Sequence, residues 1–205
     1  MQKYDQSYAQ EQIKKQKDTA ETVLNELAKF GFEGAVCAGG APRDWYLGKI
    51  AKDLDFFVDN KVNGVVFDIK KFMNTIGVKT FGKLENSGIY EANPRLESVF
   101  EFELNGSVCQ LIIVKQINVS GKIIKAWDIY TTFPVNVSKI AYGDDGWNGF
   151  VFMKSDEFVY GHKYKILDFD QEGLYNGYYK RKIRRKFKDY AVVLRKKSGL
   201  AKLIW

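Results

Sequence analysis

The sequence predicts an α/β domain in which a mixed β-sheet is flanked by helices. Stretches with apolar residues at helical spacing alternate with short apolar runs that are typical of buried strands. The middle of the chain carries a hairpin pattern around an Asn-Gly turn. A length of 205 residues suits one well-buried domain and is too short for two ordinary ones. We therefore expect residues 1–205 to form a single α/β domain.

The first half of the chain is expected to alternate helices and strands. Residues 1–17 are polar and without periodicity, which predicts a flexible leader. A helical pattern begins at Asp18 and ends before Gly31, a natural helix stop. The following elements are a strand over 35–38, a helix opened by Pro42 and closed by Gly48, a strand over 53–58 and a helix over 65–76.

The second half begins with the hairpin and ends in a basic segment. Alternating residues 100–104, the turn Asn105-Gly106 and the returning run 108–114 predict the hairpin. Further strands are expected at 150–152 and 164–169. Residues 175–194 carry apolar side chains at helical spacing among many cations, so the segment 175–205 is predicted to be a basic C-terminal helical segment.

Charge and cysteine content limit the partners and the compartment. The net charge is +7, but residues 180–205 alone carry eleven Lys or Arg and one acid. This asymmetry indicates a polyanionic partner near the C-terminus, although a solvated helix surface would show the same pattern. Two separated cysteines and no apolar leader predict a cytoplasmic protein without a signal peptide. The longest apolar stretch is far too short to span a membrane.

The most informative motif is Asp53-Leu54-Asp55. Side chains alternate along a strand, so both carboxylates are expected on one sheet face, with their Cα atoms about 6.5–7 Å apart. Such a pair could hold Mg²⁺, or Mn²⁺, because hard divalent cations prefer oxygen ligands and retain substrate phosphates in their shell.

A glycine turn precedes the carboxylates. Gly39 and Gly40 end a predicted strand, and glycine lets backbone N–H groups approach phosphates at the start of the following helix. Arg43, in the first turn of that helix, could make a bidentate phosphate contact, and Asp44 could orient the turn. The twelve residues 41–52 leave room for one helix and a loop before Asp53.

These motifs resemble the polymerase-β-type nucleotidyltransferase superfamily. Gly-Gly-x-x-Arg-Asp followed by Lys-Asp-x-Asp-Phe is similar to the head domain of CCA-adding enzymes and bacterial poly(A) polymerases, over roughly residues 20–60. The length is similar to that of minimal stand-alone versions in bacteria and their phages. The resemblance implies the nucleotidyltransferase fold, metal ligation by Asp53 and Asp55, and nucleotide binding by Gly39, Gly40, Arg43 and Asp44.

The resemblance also concerns two later positions, at which this sequence departs from the pattern of the family. Residues 133–142 resemble the family's nucleotide-positioning segment and imply nucleotide binding by Asn136, but the arginines that precede this segment in the family are missing. The family's third carboxylate corresponds to Gln110 here. Two carboxylates could suffice, Asp128 or Glu101 could supply the third ligand, or activity could be lost.

The sequence leaves two functions open. The first is metal-dependent transfer of a nucleoside monophosphate from an NTP to an acceptor hydroxyl, with RNA such as a tRNA 3′ end favoured by the basic segment. The second is a decayed scaffold that binds nucleic acid or protein as an inhibitor. The residues expected to contact RNA are Lys180, Arg181, Arg184, Arg185 and Lys188.

Overall fold

A seven-stranded mixed β-sheet organises the chain in this computed structural model, which describes residues 3–84, 95–119, 122–169, 177–195 and 201–204. The strands are β1 (Val36–Ala38), β2 (Leu54–Asp59), β3 (Lys61–Val62), β4 (Val65–Val66), β5 (Phe81–Lys83), β6 (Leu96–Leu104), β7 (Ser107–Val114), β8 (Ile117–Val119), β9 (Lys122–Ile124), β10 (Ile140–Asp144), β11 (Phe150–Lys154), β12 (Ile166–Phe169), β13 (Ala191–Arg195) and β14 (Ala201–Ile204). The α-helices are α1 (Lys3–Lys29), α2 (Gly40–Tyr46), α3 (Ile69–Thr75), α4 (Asp156–Tyr164) and α5 (Gly177–Lys186), and two 3₁₀ helices span Ala126–Thr132 and Asn136–Ser138.

The main sheet has the strand order β11-β10-β1-β2-β7-β6-β5. Strands β2 and β7 pair in parallel, and the other neighbours in this sheet are antiparallel. A second sheet has the order β12-β13-β14, and β3-β4 and β8-β9 are short hairpins. The predicted α/β class with a mixed sheet flanked by helices is confirmed, as is the 100–114 hairpin.

The two faces of the main sheet carry separate apolar clusters. Leu54, Phe56 and Val58 of β2 pack in the cluster that also contains α1, α2 and α3 side chains. Phe57, which points to the opposite face, packs with side chains of the 126–132 3₁₀ helix. Because side chains alternate along β2, Asp55 belongs to the second face, where the sheet is covered by 3₁₀ helix and loop. No helix in the described ranges is long and apolar enough to cross a membrane.

The N-terminal leader differs from expectation. Residues 1–17 were expected to be flexible, whereas helix α1 already begins at Lys3. Gln16 explains the difference: its Oε1 accepts from Trp45 Nε1 at 2.9 Å and from the Ala51 N–H at 3.0 Å, and its Nε2 donates to the Ala51 carbonyl. Ile13 is also buried. A polar side chain thus occupies a core-facing position, which hides the helical periodicity in the sequence.

The predicted helix over 65–76 is shorter in the structure. Asn63 and Gly64 have positive φ angles of 50° and 86° and form the turn of the β3-β4 hairpin, as Asn-Gly pairs commonly do. Val65 and Val66 are therefore exposed strand residues. Helix α3 begins only at Ile69, where the Asp68 carboxylate accepts from the Lys71 N–H as an N-cap.

The basic C-terminal helix is also shorter than predicted. Helix α5 ends at Lys186, and residues 191–195 form β13, which pairs in parallel with β12. The β-branched run at Val192 and Val193 suits a strand, and the Ala191 N–H donates to the Lys165 carbonyl where the pairing begins. The prediction for 175–205 is therefore corrected to one helix and two strands, with 175–176, 196–200 and 205 outside the described residues.

Candidate nucleotide and metal site

Asp53 and Asp55 lie where β2 begins. Asp53 directly precedes the strand, Asp55 is its second residue, and both are half-buried. Asp55 is in register with Gln110 on β7, and Gln110 is in register with Glu101 on β6. These three side chains form a polar row on the sheet face away from α1.

The ionised form of the Asp55 carboxyl group is disfavoured by its surroundings. Burial raises its pKa first and the neighbouring charge of Asp53 second, bringing the pKa to about 7. The cations Lys182, Arg43 and Lys52 oppose this shift. Two carboxylates that resist simultaneous ionisation are stabilised by a bound cation, so the donor set fits a divalent metal that completes its shell with water and phosphate oxygens.

The raised pKa gives a prediction for stability. An acid whose pKa is higher in the folded state costs stability once it ionises, so the penalty grows as pH rises from about 4 to about 7. At pH 8 in metal-free buffer, we expect Asp55→Asn to raise the free energy of unfolding by about 1–2 kcal/mol relative to wild type. The variant should therefore unfold at a higher denaturant concentration. The gain should shrink towards pH 5, and an equal gain at both pH values would contradict the burial of a strained carboxyl group.

Gly39 and Gly40 join β1 to α2, and they differ in the space around them. Gly39 has a φ of 84°, and a Cβ there would lie 3.0 Å from the ring of Phe133. Its N–H already donates to the Ile140 carbonyl at 2.9 Å. A Cβ at Gly40 would meet no atom within 4 Å, so the open space beside the turn lies over Gly40. Of the two glycines predicted to bind phosphate, Gly39 is required for the backbone conformation of the turn, and Gly40 has open space beside it.

Arg43 and Asp44 are buried and tie α2 to later parts of the chain. Arg43 Nε donates to Asp44 Oδ1 at 3.0 Å, and Nη1 donates to Ser138 Oγ at 3.2 Å. Its guanidinium lies 5.6 Å from the centre of the Phe187 ring. The second oxygen of Asp44 accepts from Lys186 on α5. Both residues therefore orient α2, and the bidentate phosphate contact predicted for Arg43 would have to use donors outside this network.

Asn136 is enclosed rather than presented to a ligand. It is 1% exposed, and its Oδ1 accepts from the N–H groups of Val137 and Asp168 at 2.9 and 3.0 Å. Its Nδ2 donates to the Ile166 carbonyl at 2.9 Å. The amide thus joins the 136–138 3₁₀ helix to β12, and the direct nucleotide contact predicted for Asn136 has no exposed atom through which to act.

The candidates for a third metal ligand differ in position. Glu101 lies in the polar row, where its carboxylate accepts from Gln110 Nε2 at 3.1 Å. Asp128 lies two residues beyond Ala126, whose N–H donates to Asp59 at the other end of β2, about 13 Å along the strand from Asp55. Within the described residues, no group of three or more Asp, Glu, His or Cys side chains converges to hold a metal. The carboxylate pair is therefore the centre of the candidate site.

The basic residues divide into two sets. Arg181, Arg184, Arg185 and Lys188 are exposed and Lys180 is half-buried, as expected of cations that contact a polyanion. Sequence reasoning missed Lys182 and Lys186, which respectively influence Asp55 and contact Asp44. Their spacing of four residues, one turn of a helix, was the signal that places both on the same face of α5.

Comparisons with known proteins were made at three levels. No family model matches the chain, and no curated protein matches it significantly. Among solved structures, the chain is similar to the Thermotoga maritima CCA-adding enzyme in complex with tRNA, with 13% identity, a TM-score of 0.56, and coverage of 88% of this chain and 39% of that one. A CCA-adding enzyme structure with ATP gives 10% identity, a TM-score of 0.54, and coverage of 88% and 39%.

A tRNA nucleotidyltransferase with a primer tRNA and an incoming ATP analogue gives 15% identity and a TM-score of 0.50, over 73% of this chain and 39% of that one. The chain thus spans about four-tenths of the length of each of these structures. At such low identity the similarity concerns the fold. The chain has the nucleotidyltransferase fold that these CCA-adding and tRNA nucleotidyltransferase structures contain in the matched portion.

Proposed function

We propose that the chain transfers a nucleoside monophosphate from an NTP to an acceptor hydroxyl, with release of pyrophosphate. The observation that carries the proposal is the position of Asp53 and Asp55 at the start of β2, next to β1 and the turn at Gly39 and Gly40 that follows it, within this fold. The rise of the Asp55 pKa to about 7 supports it, because carboxyl groups with strongly perturbed pKa values are common at functional sites.

Each residue has a defined part in this proposal. Asp53 and Asp55 would hold Mg²⁺ or Mn²⁺, which would polarise the α-phosphate and help the acceptor hydroxyl to lose its proton. Gly40 would let phosphate oxygens approach the backbone at the turn. Arg43 and Asp44 would keep α2, and with it the turn, in position through Ser138 and Lys186.

RNA is the acceptor that we favour. The exposed cations of α5 would supply a polyanion-binding surface, and two of the structures with this fold contain tRNA. The 3′ hydroxyl of a tRNA is then the natural candidate. Cytoplasmic location and single-domain organisation of residues 1–205 remain parts of this proposal.

The proposal is tested by label transfer. The full chain would be incubated with Mg²⁺ or Mn²⁺ and each α-³²P-labelled NTP, in separate reactions with total RNA, a protein mixture and small-molecule hydroxyl acceptors. We expect label to enter RNA with wild type and not with the Asp53→Asn/Asp55→Asn double variant. Absence of transfer to every acceptor class would reject the enzyme.

Gln110 favours a second candidate function. It is the register partner of Asp55, where a carboxylate would strengthen metal binding, and a neutral amide is the weaker ligand. A decayed scaffold that binds RNA or protein without catalysis would show RNA binding in a filter assay, unchanged by the double Asp variant, together with no label transfer.

A further inference from the structure

Strand β11 is an outer strand of the main sheet, and it lacks the usual protection of such strands. Among the strands that the structure describes, it pairs with β10 alone, through five consecutive residue pairs without a bulge. Its first four residues are apolar and half-buried, and only Lys154 at its end is charged. Edge strands are usually protected by charge, proline, a bulge or a very short length. The opposite edge, β5, follows that pattern, because its three residues include Gly82 and Lys83.

The hydrogen bonds between β10 and β11 show which backbone groups of β11 point outwards. The Asp145 N–H donates to the Gly149 carbonyl at 3.2 Å, and the Ser155 N–H donates to the Lys139 carbonyl at 3.2 Å. Both pairs continue the register of β10 with β11, one at each end of the ladder. Hydrogen-bonded pairs alternate with non-hydrogen-bonded pairs in an antiparallel ladder. The odd-numbered residues of β11 therefore bond to β10, and its even-numbered residues direct their backbone groups away from the sheet.

The outward-directed residues are Phe150, Phe152 and Lys154. No hydrogen bond to their N–H or carbonyl groups is found from any residue that the structure describes. The side chains of Phe150 and Phe152 pack against the apolar cluster on the α1 face of the sheet, which holds the strand in place. A fixed row of unpaired N–H and carbonyl groups is a template for a further β-strand.

The loop between β10 and β11 continues this edge and presents a large apolar side chain. Trp147 is 92% exposed. The Asp145 carboxylate accepts from the N–H groups of Trp147 and Asn148 at 2.9 and 2.7 Å, and from Asn148 Nδ2 at 2.8 Å, so the loop is held by its own hydrogen bonds. Tryptophan is enriched at protein interfaces, where it buries a large apolar area. The unprotected edge thus ends in a side chain that is typical of an interface.

The outward-directed positions of β11 are complementary to themselves. When two copies of β11 pair antiparallel about Phe152, this residue faces its own counterpart, and Phe150 faces Lys154 of the second copy. Each facing residue then directs its backbone groups at the other strand, so every facing pair can exchange two hydrogen bonds. Between these pairs, Val151 meets Met153 of the second copy, which places an apolar side chain against an apolar side chain.

The distribution of charge also favours a second copy as the occupant. In this pairing the two Lys154 side chains lie at opposite ends of the paired strands, roughly 14 Å apart along them. Asp144 on β10 is exposed and in register with Phe150. Lys154 of the second copy therefore joins the row across the sheet that contains Phe150 and the carboxylate of Asp144. The pairing separates like charges and brings opposite charges closer together.

We propose that the chain forms a two-fold symmetric dimer in which β11 pairs antiparallel with β11 of a second copy, with Phe152 at the axis. The two main sheets then form one continuous sheet, and the Trp147 loops lie at the two ends of the paired strands. Strand β2, at which Asp53 and Asp55 lie, is the third strand in from β11. The dimer therefore leaves both candidate sites open and does not depend on the proposed function. Because a pair of five-residue strands is small for an interface, the dimer dissociates on dilution.

The test measures self-association of the full chain by analytical ultracentrifugation, over about a hundredfold range of protein concentration. Lys154→Pro is compared with Lys154→Ala, since both remove the exposed Lys side chain and only proline also removes the outward-directed N–H. Proline is compatible with an edge strand where the N–H faces away from the sheet. Thermal melts establish that both variants fold. We expect the dimer Kd of Lys154→Pro to be about tenfold or more above that of Lys154→Ala.

Amide hydrogen exchange of the wild-type chain, followed by NMR, is a second measurement that needs no variant. The amides of Phe150, Phe152 and Lys154 should be protected at high protein concentration and lose this protection on dilution. Those of Val151 and Met153 should stay protected throughout, because they bond to β10 in the monomer as well.

Three results would overturn the dimer. The first is a wild-type chain that stays monomeric at every concentration, which would leave the edge of β11 to a strand of another protein. The second is an equal dimer Kd for Lys154→Pro and Lys154→Ala. The third is fast exchange at the amides of Phe152 and Lys154 in the associated protein, which would assign the association to another surface.

Discussion

Replacement of either Asp53 or Asp55 by Asn is expected to lower the rate of label transfer by about 10³-fold or more. Asn keeps the size of the side chain and one oxygen, but it removes the negative charge that would hold a divalent metal. The measurement is the single-turnover rate at saturating NTP and metal. Circular dichroism separates this loss from misfolding, because Asp55→Asn is expected to stabilise the fold at neutral pH.

Two further variants test whether Glu101 or Asp128 is the third metal ligand. Glu101→Gln removes the remaining carboxylate of the polar row, and a further large loss of rate would identify Glu101 as a ligand acting with Gln110. Asp128→Asn should retain the wild-type rate within about threefold, since Asp128 lies near Asp59 at the far end of β2. Full activity in both Asp53→Asn and Asp55→Asn would remove the carboxylate pair from the mechanism.

The core of the fold could be predicted because its signals are local. The strand at 36–38, the glycine turn, α2 and β2 follow one another within 24 residues, and each is marked by apolar runs, Gly or Pro. The start of α1 was missed because Gln16, a polar residue, makes the core contacts. The strand β13 was missed because its pairing with β12 depends on residues about 25 positions earlier.

The site could be predicted only in its strand part. The period of two along β2 is sufficient to bring Asp53 and Asp55 together. The orientation of Arg43 depends on Ser138, 95 residues later, and that of Asp44 on Lys186, 142 residues later. No spacing in the sequence encodes such contacts. Arg43, which matches a phosphate ligand in its motif, therefore donates its hydrogen bonds to Asp44 and Ser138 of the protein.

Asn136→Ala is expected to lower the free energy of unfolding by about 3 kcal/mol or more. The change leaves the N–H groups of Val137 and Asp168 and the carbonyl of Ile166 without their buried partner. Because Asn136 joins the 136–138 3₁₀ helix to β12, the damage should extend to the second sheet and to α5, which packs on the same apolar cluster. Urea denaturation followed by circular dichroism measures the loss.

Asn74→Ala is the matched control, since Asn74 is exposed on α3 and its replacement should change stability by less than about 0.5 kcal/mol. The comparison also decides between two roles for Asn136. A large loss of stability identifies it as the residue that positions β12 and, through Ile183 and Phe187, the cations of α5. A variant that unfolds like wild type but binds NTP more weakly would instead restore the nucleotide contact that the family resemblance implies.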